Sequence, residues 1–572
     1  MTKVIGRLIA VVALMCLFPL GLQAQELPEK KEKETKSPFD KTTVAFSFAD
    51  DNALRDPGET RINSPDAYFG QHTSSSLDRF GGSTYRSSMA RLLLHKKMDK
   101  KGIFQPEGTL RFVMGPDGDG EYALWDDGTF LQLNWDLGKS SKLQWALYPI
   151  DSDRLRMGYH YDISWAGSNV FPKNFRRGLV PGTKIGVGGD FGNKQKWEVF
   201  AGMKSALIRS PAKDILNNPG GNTNQYVERA YYGYMGGAHV DPAKGLTIGV
   251  SGGYFEKGTS TKAEILGKSI DAWGYGGYIA YKTGAKVGTR LDMRMYFEDP
   301  ERFPMQSAAA DPAVKKEKDP AFDFGDEDHP EEAKYDDQTT ASDFGFQIAL
   351  EYIRLGQVLN DFDTFGSTKS EDSNAFAFSA GLRADKFRAF FDFVYRDLTY
   401  ITYNVPGFVP YEAVSENVDL AHGGSLDFLP EYLSGELFGV LSFDYFIENL
   451  GLTPAISFGV QVPATYMPKD TGLKVNGPFP PEQVLGVRKV VVRGVDDDDW
   501  DILPAGEDEM PVFVTKFLLK YTYNKQFSAI GEILYAVDNN FAQVLIDDHG
   551  HAKPVFDKPD ILGFGLVAEL TF

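Results

Sequence analysis

Residues 562–572 constrain this chain more than any other stretch. Leu562, Phe564, Leu566, Ala568, Leu570 and Phe572 share one side of an extended strand, and Gly563, Gly565, Val567, Glu569 and Thr571 share the other. The division follows because successive side chains of a strand point to opposite faces. One oily face and one small or polar face, over about 9–11 residues, suit a tilted crossing of a bilayer. In water such a strand would be an open edge that pairs with other chains. The segment reads as the closing stave of a membrane barrel.

The amino terminus supplies the route to a membrane. Lys3 and Arg7 flank the start of an apolar run over residues 8–20, and Leu22-Gln23-Ala24 offers a small-residue cleavage site before Gln25. This is the pattern of a signal peptide over residues 1–24, and its apolar run is short for a membrane anchor. Cys16, the only cysteine, lies inside it. Met15 stands where a lipoprotein signal wants a small residue. The mature chain is therefore expected to hold no thiol, disulfide or cysteine-based metal site. No later window has the apolar length of a membrane helix, about 18 residues or more. Export without such a helix leaves the periplasm, the cell exterior or an outer-membrane barrel. A net charge of −19 argues against nucleic acid, whose partners carry a basic footprint.

Residues 25–41 are charged and contain proline, and read as a flexible leader. Residues 42–107 hold an extended candidate over 42–48 and then a long polar stretch. They are expected in the periplasm, folded back into a lumen as a plug, or as first strands. From about residue 108 to 572 a period of two takes over. Phe344, Phe346, Ile348, Leu350 and Tyr352 alternate with Gly345, Gln347, Ala349 and Glu351. Phe387, Ala389, Phe391, Phe393 and Tyr395 alternate with Lys386, Arg388, Asp392 and Arg396. The same pattern predicts strands over 154–165 and 287–297. Soluble sandwiches alternate too, but their strands average about 5–6 residues, and these are longer, with aromatic ends. Full charges at mid-strand suit a wet lumen. The fold predicted is all-β: a transmembrane antiparallel β-barrel of roughly 16–18 strands, with short periplasmic turns and long outer loops.

Connection lengths orient that barrel. With both termini in the periplasm, residues 524–525, 448–452 and the break at Ala384-Asp385 become periplasmic turns. Residues 398–435, 464–510 and 538–561 become outer loops. The parity fails once, because 298–342 comes out periplasmic. A further strand over 357–365, after a turn at Leu355-Gly356, is predicted to restore it.

The signal peptide, the strands from about residue 108 onward and the terminal Leu570-Thr571-Phe572 resemble a Gram-negative bacterial outer-membrane porin. That resemblance implies an outer-membrane location, contact with outer-membrane lipid and lipopolysaccharide, and a homotrimer as the class habit. Phe572 is similar to the terminal aromatic that barrel-assembly machinery reads in that class. The function expected is passive diffusion of small hydrophilic solutes or ions, without catalysis or cofactor. The alternatives are a non-conducting structural or adhesive barrel, or a hydrophobic-substrate channel with an N-terminal hatch.

Inward residues would then carry the function. The basic set is Arg154, Arg156, Lys204, Arg290, Arg294, Arg383, Lys386, Arg388, Arg396, Lys516 and Lys520. Acidic residues on the same faces include Asp162, Glu198, Asp292, Glu351, Asp392, Asp444 and Glu532. Rings of charge select ions by sign, and this set leans basic, so a weak anion preference is expected. The bland reading is that these charges pair across strands and hold the wall together. Carboxylates over 298–342 and at Asp496 to Asp499 read as solvated acidic loops, without the ligand spacing of a calcium loop. Asp547, Asp548, His549 and His551 read as a polar loop rather than a metal site. Ser425 near His422 lacks the nucleophile elbow of a hydrolase.

Overall fold

Strands that are apolar on one face and polar on the other bury neither face alone, and here they close on themselves. The computed structural model describes residues 39–50, 54, 86–116, 122–138, 140–167, 170–171, 179–190, 196–211, 226–259, 266–291, 344–360, 367–397, 400, 435–462, 464–466, 487–489, 493–496, 499–501, 511–523, 526–537, 542–546, 552–556 and 560–572. The expected signal peptide and residues 25–38 of the expected leader lie outside these residues, as do 298–342, Ser425, His422 and the acidic-histidine stretch 547–551.

The staves are β1 (Lys41–Asp50), β2 (Arg86–Lys97), β3 (Phe104–Pro116), β4 in two pieces (Tyr122–Asp126 and Phe130–Asp136), β5 (Ser141–Tyr148) and β6 (Gly182–Asp190). Next come β7 (Lys196–Pro211), β8 (Tyr226–Ala243), β9 (Leu246–Thr259), β10 (Ser269–Gly284), β11 (Phe344–Asn360) and β12 (Thr368–Ala384). The last six are β13 (Phe387–Arg396), β14 (Glu436–Tyr445), β15 (Leu452–Val462), β16 (Val512–Thr522), β17 (Phe527–Val537) and β18 (Asp560–Thr571). Each pairs antiparallel with the next, and β18 returns to β1 with Thr43 opposite Thr571 and Asp50 opposite Phe564. The result is a closed barrel of 18 staves. Closure leaves no backbone edge, which is what a strand needs in hydrocarbon.

The faces fall as the period demands. Phe391, Leu441, Phe458, Phe517 and Val250 are exposed on the outside. Phe344, Phe387, Tyr445 and Tyr523 form an outward belt near the end that carries the termini, and Tyr232, Tyr254, Tyr395 and Tyr535 a belt toward the other. Such aromatic girdles mark the two interfaces of a membrane barrel. Gly563, Gly565 and Val567 of β18 are buried, as its small face predicts. Strands begin at Lys41 and Arg86, so parts of residues 42–107 are built into the wall.

Three sequence expectations need correction. Residues 154–165 are not a stave: they lie between β5 and β6 and fold into the barrel. Residues 285–291 leave β10 without strand structure and also turn inward, with Val287 and Arg290 buried. Nor is there a turn at Leu355-Gly356, because β11 runs unbroken through it to Asn360. The parity anomaly is therefore real. The long connection between β10 and β11 does leave from the end that carries the termini.

Candidate functional site

The segment entering between β5 and β6 is a hairpin built to dock. Gly158 has φ 115°, and a short 3-10 turn follows at Tyr161–Ile163. Met157 and Trp165 close the hairpin by exchanging backbone bonds of 2.9 Å each way. Leu155, Met157, Ile163 and Trp165 are at most 2% exposed and join a cluster with Ala206, Ile208, Met235, Phe255, Ile353 and Leu355 of the wall. The alternation that mimicked a membrane strand is thus an apolar face turned toward the lumen wall. Glycines make room for it. A Cβ on Gly274 would stand 2.7 Å from the Trp165 ring, and one on Gly253 would stand 2.7 Å from Met157 Cε. Both distances are closer than real Cβ contacts, so β9 and β10 form a glycine socket.

Polar fasteners complete the docking. Glu351 of β11 accepts the backbone N–H groups of Tyr159 and His160 at 2.6 and 2.5 Å. Arg396 of β13 donates to the Asp162 carbonyl at 3.3 Å, and the Tyr400 hydroxyl donates to the Ile163 carbonyl. Lys204 of β7, fully buried, donates to the Ser152 carbonyl at 2.6 Å. Buried carbonyls and N–H groups need such partners, since each left unmade costs about 1–3 kcal/mol.

From the other end, residues 285–291 are fastened in the same manner. Arg388 donates to the Val287 carbonyl at 3.0 Å, Gln347 to the Gly288 carbonyl at 2.7 Å and Arg383 to the Lys286 carbonyl at 3.0 Å. Arg388, Asp392 and Arg396 are spaced four residues apart on the inward face of β13. Arg388 is bidentate to Asp444 at 2.8 and 2.9 Å. Asp392 accepts from Arg290 at 2.9 Å. Arg396 pairs with Glu436, both fully buried, and Gln461 donates to the same carboxylate.

Across the barrel, on β2 to β4, a second charged cluster faces inward. Stave β4 is interrupted at 127–129, where the chain steps inward. Asp126 holds the Gly128 and Thr129 N–H groups at 3.0 and 3.1 Å, and Asp127 points into the barrel. Arg154 lies 2.8 Å and Arg91 3.4 Å from the Asp127 carboxylate. Arg111, 1% exposed, has Arg154, Arg91 and Asp127 as its charged neighbours. Three guanidinium groups thus gather about the Asp127 carboxylate.

An apolar belt outside, a closed ladder of backbone bonds and a charged interior together decide the class. The molecule is a transmembrane β-barrel.

The remaining residues expected to line a pore take varied positions. Arg156 pairs with Asp153 at 2.7 Å, and Lys516 lies 3.3 Å from Glu532. Lys386 sits in the break between β12 and β13, half-exposed, 2.6 Å from Glu448. Lys520 is on the inward face of β16, half-buried. Glu198 of β7 is buried 3.3 Å from Lys184 and 3.6 Å from His239. Arg294 and Asp292 lie outside the described residues. Phe572 faces outward and exchanges backbone bonds with Thr42. Sequence reasoning missed Arg91, Arg111 and Asp127, along with Lys184 and His239 beside Glu198. The signal for the arginines was present. Arg91, Leu93 and His95 alternate with Leu92 and Leu94, and Arg111 with Leu110 and Phe112.

No family model matches the chain, and no curated protein does. Among solved structures it is similar to three from Pseudomonas aeruginosa. They are OpdL (9% identity, 93% of this chain, 98% of that chain, TM-score 0.38), OccK2 (OpdF) in complex with glucuronate (8%, 93%, 98%, 0.40) and the outer membrane protein OprD (10%, 93%, 92%, 0.36).

Proposed function

We propose that this barrel is a passive outer-membrane diffusion channel for small hydrophilic solutes, with a weak preference for anions and no chemistry of its own. The observation that carries the reading is the charged interior wall, in which Arg91, Arg111 and Arg154 gather on Asp127. Arg91 and Arg111 stand on β2 and β3, across the barrel from β11 to β13, and Arg154 reaches the same carboxylate from the hairpin that is clamped there. A solute passing between would meet this arginine cluster, and pore charge selects by sign. A hydrophobic-substrate channel fits poorly, since the apolar cluster inside is filled by the docked hairpin. In the same reading Phe572 serves as the assembly signal, the outer loops meet lipopolysaccharide, and the barrels associate as homotrimers.

Reconstitution of the folded protein in planar bilayers tests this. Steady conductance is expected, with a reversal potential under a KCl gradient displaced toward chloride. Arg111→Glu should move that potential toward potassium. Absent or merely sporadic conductance defeats the channel and favours a non-conducting barrel, and cation selectivity in the unaltered protein defeats the anion preference.

A further inference from the structure

The two inward-folded segments enter from opposite ends of the barrel, and both reach the side chain of Asp392. Asp392 Oδ2 accepts a hydrogen bond from Arg290 Nε, 2.9 Å away on the segment that follows β10. Asp392 Oδ1 lies 3.7 Å from His160 Nε2, on the hairpin between β5 and β6. The other fasteners divide between the segments. Glu351, Arg396 and Tyr400 grip the hairpin, while Arg388 and Gln347 grip residues 287–288. Asp392 grips both.

We propose that Asp392 is the positioning residue that pins both segments to the wall at once, so that its charge sets how far the lumen is narrowed. The carboxylate stands between an imidazole and a guanidinium. With an amide in its place, a protonated His160 and Arg290 face each other across a neutral group, in surroundings where like charges repel more strongly than in water. Removing one partner of a buried charge pair is the costly change, because the remaining charge stays buried. Loss of Asp392 therefore releases both segments, and loss of His160 or Arg290 releases its own. The effect on the lumen rests on the channel reading above; the pinning does not.

Hydrogen exchange on the full-length protein, folded in detergent, tests the pin, with heat-modifiable migration confirming that each barrel is closed. In Asp392→Asn, exchange should rise in both 149–167 and 285–291, by about tenfold or more, the scale of a lost hydrogen bond to a charged group. His160→Gln should raise it in the first segment and Arg290→Gln in the second. Asp392→Glu should restore protection to both. Wild-type exchange in both segments of Asp392→Asn, or a rise in one alone, overturns the proposal. If Asp392→Asn does not fold, the single variants decide: release of both segments by either, or of neither, overturns it. In bilayers Asp392→Asn should conduct more than either single variant. A wild-type barrel that shows the expected exchange pattern but no conductance defeats the channel reading and leaves the pin in place.

Discussion

Trp165→Ala tests whether the hairpin is held by packing. Trp165 is 2% exposed, meets Phe255 edge-on at 5.8 Å between centroids, and lies over Gly274. Truncating a buried tryptophan to alanine costs about 3–5 kcal/mol, since the glycine floor offers no side chain to fill the gap. That cost falls on the docked hairpin, because the ladder of β9, β10 and β11 does not depend on the indole. At about 1.4 kcal/mol per tenfold, the equilibrium between docked and undocked hairpin should shift by roughly two to three and a half decades. Hydrogen exchange over 149–167 should accelerate on that scale, and the mean bilayer conductance should rise as the hairpin swings out. Gly274→Val attacks the same contact from the wall by intruding on the Leu355 side chain and on the ring, at about 1–3 kcal/mol for overpacking. The two together should cost less than their sum, since the part of the valine's intrusion that falls on the ring is gone once Trp165 is truncated. Unchanged exchange in Trp165→Ala, in a barrel that still migrates as folded, would refute docking by packing.

The hairpin should also respond to pH. Burial disfavours the His160 imidazolium, but Asp392, Asp162 and Glu351 outweigh it and raise its pKa; Arg290 lies beyond Asp392, and Arg396 holds the Asp162 carbonyl. A raised folded value stabilises docking fully below the ordinary pKa of about 6.5 and loses that contribution as pH rises through the folded value. Exchange over 149–167, corrected for intrinsic rate, should therefore rise on the alkaline side. In His160→Gln this rise should vanish, and a profile shared by both proteins would refute it. Glu436→Gln strands the fully buried Arg396 and should destabilise the barrel by about 3–5 kcal/mol in denaturant titration, whereas Arg396→Met with Glu436→Leu should cost less. A double variant as unstable as the single one would contradict that asymmetry. Deleting Phe572 removes the backbone pair with Thr42 and an outward ring at the seam. The yield of heat-modifiable barrel should fall, and Phe572→Trp should recover it.

The wall was legible in the sequence because its constraint is local. A lipid-facing position must be apolar and the next one inward, so Phe387 to Arg396 or Phe344 to Tyr352 can be sorted residue by residue without a partner. The closing strand was legible on the same ground, but its partner was not: β1 lies within 42–107, a stretch whose place, in the wall or out of it, no local pattern decides. Residues 154–165 defeated the same rule for a physical reason. A segment lying against the lumen wall also has one apolar side, and period two cannot say whether that side meets lipid or protein. What separates the cases is the length of chain to the next stave and a matching cavity. Here the cavity is the run of glycines in Tyr234-Met235-Gly236-Gly237, Ser251-Gly252-Gly253-Tyr254 and Tyr275-Gly276-Gly277-Tyr278. On β8 to β10 each pair sets one glycine outward and one inward.

Charge posed the harder problem, since the same residue types serve two ends. An arginine facing a water-filled lumen selects ions, and one facing a docked segment satisfies carbonyls that have lost their water. Arg388, Arg396 and Arg290 are of the second kind. Each has a carboxylate partner, and Arg388 and Arg396 also hold a carbonyl of an inward-folded segment. A basic lean counted over such residues says nothing about selectivity, because their carboxylates cancel it at close range. The informative quantity is the local ratio of cations to carboxylates, and that depends on which strands are neighbours. Arg91 and Arg111 meet at Asp127 because β2, β3 and β4 are adjacent and β4 breaks inward at 127–129, and Arg154 joins them from the inward-folded hairpin. Arg154, which ties the hairpin to the Asp127 carbonyl and carboxylate, is of the second kind as well, so any selectivity this barrel has should follow Arg91 and Arg111. Changes at Arg388 or Arg396 should alter stability and the hold on the inward segments first.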